Sequence, residues 1–206
     1  MHWSTQLLTV ASIWSVATVS PGPNFLLTAQ VAAAQSRPRG LAVVGGIAVA
    51  TAIWGICGLL GIQALFVAAP WAFVTLKLAG ALYLVFTGAR LIVCAGNAPK
   101  AAPIAAGLSP RRAFGIGLVT SLTNPRSALS VASIFAVALP AQPSLPIGVA
   151  AAALMVAISV GWYICVVYMF AAGIVANTYR RLRGWIDRIA GGLLILFGVR
   201  LALDRG

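Results

Sequence analysis

Long apolar runs separated by short polar turns set the rhythm of this chain. A helix that crosses a bilayer needs about 20 apolar residues. Six stretches follow that rhythm, at about 5–34, 40–69, 71–94, 113–139, 147–172 and 189–203. Between them lie the turn Gln35 to Arg39, the pair Pro70 and Trp71, a longer loop from Ala95 to about Arg112, the turn Pro140 to Pro146, and a polar stretch from Asn177 to Arg188. A membrane β-barrel would need alternating segments of about ten residues, and none occurs. The pattern predicts an all-α polytopic membrane protein with six transmembrane helices, a single transmembrane domain over 1–206.

Two of the six runs are interrupted. In the first, Ser20, Pro21, Gly22, Pro23 and Asn24 follow one another. Each proline lacks a backbone donor and clashes with the carbonyl one turn back, so no helix continues through this stretch. In the fourth, Asn124, Pro125 and Arg126 make the same kind of break. Backbone groups freed inside a membrane are tolerated only where they face protein or a water-filled cavity. Each break is therefore a packed kink or part of a binding site.

A weaker repeat supports the pairing. Lys77, Gly80, Tyr83, Phe86, Gly88 and Arg90 in the third run read against Arg188, just before the sixth, and Gly191, Phe197, Gly198 and Arg200 within it, with one residue missing from the second copy. Pro23 then matches Pro125. Each half has three helices, repeat 1 over about 1–96 and repeat 2 over about 108–206. An odd repeat unit inserts its second copy upside down. Inverted repeats with matching broken helices point to a transporter's midplane site.

Composition sharpens this picture. The chain is 61% hydrophobic and 8% charged, roughly a third of the charge of a soluble domain. Mean hydropathy is +1.01. The net charge of +12 would suggest nucleic acid in a soluble protein, but here the basic residues fall in short loops. Arg37 and Arg39 lie between runs one and two, Arg90, Lys100, Arg111 and Arg112 between three and four, and Arg180, Arg181, Arg183 and Arg188 between five and six. The remaining two loops carry none. That bias puts loops 1–2, 3–4 and 5–6 in the cytoplasm and both termini outside. Arg200 and Arg205 run against it.

Few residues here can carry chemistry. His2 is the single histidine, and Cys57, Cys94 and Cys165 form no ligand cluster, so no zinc site follows. Neither a nucleophile with its base nor a Walker-type loop is present, so neither an enzyme nor an ATPase is expected, and no cofactor. Arg126 stands out because a charge within a span is costly and usually faces a cavity or partner. Its planar fork suits a carboxylate, and a helix N-terminus beside it adds positive dipole. Lys77 either snorkels to the outer interface or faces the cavity. Tyr83 lies deeper, as packing or as a hydrogen-bond donor. Asn24 suits the cap of the second half-helix. The only acids are Asp187 and Asp204, both read as lying near span ends, so an ammonium group would rely on unwound carbonyls and on hydroxyls such as Ser20, Thr51 and Thr123.

The proline stretch in a broken first helix, the glycine-rich second run after Gly40, the Lys77 to Gly88 segment and Asn124, Pro125 and Arg126 together resemble the LysE/RhtB family over nearly the whole chain. The resemblance implies a bacterial inner-membrane exporter of amino acids such as threonine, homoserine, lysine, arginine or cysteine, driven by the membrane potential or a proton gradient. Many members carry an acid in the second helix. Here that region reads Ala48, Val49, Ala50, Thr51 and Ala52, which favours a small neutral substrate.

The expectation is thus a secondary exporter working by alternating access. Its substrate-binding residues are Pro21, Gly22, Pro23, Asn24, Thr51, Lys77, Tyr83, Asn124, Pro125 and Arg126. Its partners are an amino acid and the lipid bilayer, and small-residue faces suit a homodimer. A passive channel and an exporter of another small metabolite are the other classes that the pattern admits.

Overall fold

The computed structural model describes residues 3–68, 70–96, 107–139, 143–172 and 175–203. Among the described residues the chain forms eight helices and no strand: α1 (Trp3–Val19), α2 (Pro23–Ala34), α3 (Arg37–Ala68), α4 (Pro70–Val93), α5 (Pro110–Leu122), α6 (Pro125–Ala138), α7 (Leu145–Ala171) and α8 (Val175–Leu203). The expected first run is α1 and α2 with the proline stretch between them. The expected fourth run is α5 and α6, parted at Thr123 and Asn124. By length and composition α3 over Arg37–Gly61 and α7 over Leu145–Ala171 can cross a membrane, and Leu78–Val93 and Arg126–Phe135 are shorter apolar helical stretches.

Proline opens α2, α5 and α6 at the first helical position. There its missing N–H has no intrahelical partner to lose and its φ is already helical. Asn124 caps α6 by accepting from the Arg126 backbone N–H at 3.1 Å, and Ser109 caps α5 by accepting from that of Arg112 at 3.3 Å.

One boundary differs from the sequence expectation. The stretch Asn177 to Arg188 is not a loop leading to a helix at 189, because α8 begins at Val175. Polarity argues against burial in lipid but not against helix, and arginine and leucine are good helix formers. The side chains of 175–181 and Arg183, with Lys100, Asp204 and Arg205, lie outside the described residues.

Glycine sets the two closest helix crossings. A Cβ on Gly46 of α3 would run into the Phe114 carbonyl and Leu118 N of α5, and one on Gly117 would run into Val43 of α3. On α4 and α8 the contacts are reciprocal: Gly88 lies against the Gly191 carbonyl and Gly191 against that of Gly88, while Gly198 lies against the Ala81 carbonyl. Such approach needs residues without a Cβ. The opposite faces of these two helices present Leu82, Phe86, Trp185, Ile189 and Leu196, all more than half exposed.

The core falls into two apolar clusters. The first gathers Val10, Ile13, Trp14, Leu59, Leu84, Phe135, Ile147 and Met155. The second gathers Phe25, Val31, Val43, Ile47, Tyr163 and Val167, with Phe25 and Phe170 edge-to-face at 5.7 Å. Between them lies a polar cavity.

Candidate functional site

The cavity forms where the two helix breaks meet. Its walls take Trp14, Thr18 and Ser20 from α1 and its end, Gly22 and Asn24 from the start of α2, Ile47 and Thr51 from α3, Asn124, Arg126 and Ser130 from the second break and α6, and Ser159 and Tyr163 from α7. Its volume is about 40 Å³, room for about three waters.

Arg126 joins the breaks. Its Nη1 donates to the Pro21 carbonyl at 3.3 Å and its Nη2 to the Ala17 carbonyl at 3.4 Å. Ala17 stands in the last turn of α1 and Pro21 in the break that follows, where the chain no longer supplies helical partners for its carbonyls. The distances are long for charge-assisted bonds. A Cβ on Gly22 would meet Nη1 at 3.3 Å, so glycine there leaves room for the guanidinium. Tyr163 and Asp187 both lie within electrostatic reach of the same group.

Each break also sets a helix C-terminus beside a helix N-terminus. The carbonyl end is electronegative and the N–H end electropositive. α2 begins at an extended Gly22 with no side-chain cap. The Asn24 amide instead donates to Ser121 Oγ of α5 at 3.1 Å, so the sequence expectation of Asn24 as the cap of α2 is corrected. A cap must stand before the first turn, and Asn24 already stands inside it. Its link to Ser121 crosses from one break to the other, and Trp54 Nε1 donates to the Ser121 carbonyl at 3.3 Å.

Of the expected site residues, Gly22, Asn24, Thr51, Asn124 and Arg126 line the cavity. Pro21 contributes its carbonyl, and Pro23 and Pro125 open the helices that follow. Tyr83 is not in the wall. Its hydroxyl donates to the Arg126 carbonyl at 3.4 Å, which ties α4 to the first turn of α6 from behind. Lys77 lies on α4, and its side chain is outside the described residues. Thr51 directs its hydroxyl to its own helix, at the Ile47 carbonyl, 2.9 Å away. Thr123 is exposed and bonds the Val119 carbonyl, so its expected part in holding an ammonium is corrected.

Asp187 is 2% exposed on α8, and its Oδ2 accepts at 3.1 Å from the N–H of Gly96, just past the end of α4. Sequence reasoning also missed Trp14, Ser130, Ser159 and Tyr163. Trp14 Nε1 donates to the Met155 carbonyl and to Ser159 Oγ, both at 2.9 Å. Serines and aromatics inside apolar runs give no local signal, so only packing reveals them. Among the described residues no group of His, Cys, Asp and Glu is placed to hold a metal ion.

The family model of the LysE type translocators matches residues 15–205. The threonine efflux protein of Escherichia coli (strain K12) is 29% identical over 205 residues, covering 96% of this chain and 98% of that protein. That of Salmonella typhi is 30% identical over 200 residues, covering 96% and 97%. The uncharacterized membrane protein YahN of Escherichia coli (strain K12) is 26% identical over 190 residues. No solved structure matches the chain.

Proposed function

The chain belongs to the LysE type translocator family of membrane transporters, and from that premise we propose that it is a secondary exporter of small neutral amino acids, threonine among them, in the bacterial inner membrane. The observation that carries this reading is the meeting of two helix breaks at one guanidinium inside a polar cavity. An amino acid is a zwitterion. Its carboxylate fits Arg126, which can turn from the Pro21 and Ala17 carbonyls to a bidentate acceptor. The N-terminal ends of α2 and α6 add positive potential at the same place. The polar walls at Thr18, Ser130 and Ser159 suit a short hydroxylated side chain.

Transport then proceeds by alternating access. The cavity between the two breaks is the loading site. The two apolar clusters lie on either side of it, and each serves as a gate. Six membrane passes fit α1 with α2, α3, α4, α5 with α6, α7 and α8. The reciprocal approach of Gly88 with Gly191 and of Gly198 with Ala81 supports two inverted halves. The start of α3, the segment before and into α5 and the start of α8 are taken as cytoplasmic because the arginines cluster there.

Counterflow in proteoliposomes preloaded with unlabelled amino acids tests the reading. Labelled threonine should enter saturably. Arg126→Lys keeps the charge but loses the fork, and should weaken apparent affinity about tenfold; Arg126→Ala should lose about a hundredfold or more, in keeping with loss of a charge-assisted pair. Equal counterflow by the alanine variant at wild-type abundance would remove Arg126 from the site. Flux without saturation or counterflow would indicate a channel.

A further inference from the structure

We infer that Ser20 Oγ and Asn24 Oδ1 form the ammonium subsite of this cavity, and so require the substrate to carry a free α-amino group. The inference rests on the reading above, in which Arg126 takes the carboxylate. Both residues line the cavity. Ser20 is 3% exposed and Asn24 8%. Among the described residues neither oxygen has a hydrogen-bond partner. A buried polar atom without a partner is unfavourable, and in a native site it calls for an explanation.

The chemistry of the surroundings selects the partner. Asn24 directs its amide nitrogen to Ser121, and its side chain also lies within hydrogen-bond reach of the Tyr163 hydroxyl; Oδ1 is left as an acceptor. A hydroxyl both accepts and donates. Ser20 follows the last residue of α1, at the electronegative end of that helix. The Ala17 and Pro21 carbonyls come free there once Arg126 turns to a substrate carboxylate. An ammonium has three donors and no acceptor, so it matches this group of acceptors. Among the described residues no carboxylate lines the cavity. The subsite therefore suits an ammonium already balanced by its own carboxylate, rather than a second, uncompensated positive charge such as a lysine side chain. The two charges of the zwitterion are read at separate places: Arg126 at one, the end of α1 with Asn24 at the other.

The test compares inhibition of labelled threonine counterflow by unlabelled threonine and by its deaminated analogue, 2,3-dihydroxybutyrate. Wild type should prefer threonine by about a hundredfold. Ser20→Ala should cut that preference about tenfold, as expected for one hydrogen bond to a charged group. Its melting temperature should stay level or rise, because the hydroxyl removed has no protein partner. Asn24→Ala should also cut the preference, and the double variant further. An unchanged ratio in Ser20→Ala and in Asn24→Ala, with threonine still carried, would overturn the subsite while leaving the exporter reading intact. A fall in melting temperature with an unchanged ratio would assign Ser20 a structural role and overturn it equally. Absence of threonine counterflow in wild type would overturn the exporter reading itself, and the subsite with it.

Discussion

Arg126 and Asn24 occupy matching places, each one residue after the proline that opens its helix, and they do different work. Arg126 reaches across to the end of α1, while Asn24 bonds Ser121 at the other break. Arg126 was legible in the sequence because an arginine beside a proline inside an apolar run has few cheap places to go. The partner of Asn24 was not, because local spacing suggests a cap and only the fold brings residue 121 near. Asn124 is the true cap. Asn124→Ala should cost about 1 kcal/mol, read as a lower melting temperature in detergent, with Asn124→Asp recovering most of it by restoring the acceptor. In the aspartate variant the added charge beside Arg126 should weaken threonine binding, so stability and transport should separate.

At the scale of elements, the breaks were visible because proline acts locally, and the start of α8 was not, because polarity marks exposure rather than the end of a helix. The glycine crossings show how much depends on neighbours that no sequence names. Gly46 and Gly192 both stand in helices, yet a Cβ on Gly46 meets the backbone of α5 and one on Gly192 meets nothing within 4 Å. Gly46→Ala should therefore force α3 from α5 and cost about 1–3 kcal/mol. Gly192→Ala should be neutral or stabilising by about 0.5–1 kcal/mol. Thermal melting of the two purified variants checks the pair, and equal effects would mean that the crossing is looser than described.

For the whole molecule, the helical membrane class followed from long apolar runs alone. The cavity did not, because its walls come from two breaks about a hundred residues apart and from α3 and α7. What holds those breaks together in the absence of an occupant has a consequence for the transport cycle. A carrier whose binding-site charge is left bare when empty cannot readily turn around unloaded, and so is confined to exchange. Here Arg126 rests on the Pro21 and Ala17 carbonyls, so in the exporter proposed above its charge would keep partners once the amino acid had left, and the unloaded protein would reset by itself. Threonine efflux into amino-acid-free buffer should run within about tenfold of its counterflow rate, a barrier difference of about 1.4 kcal/mol or less. Efflux that appears only when amino acid is supplied outside would mean that this resting contact is lost during the return. For a cell, the difference is between swapping one amino acid for another and emptying itself of an excess.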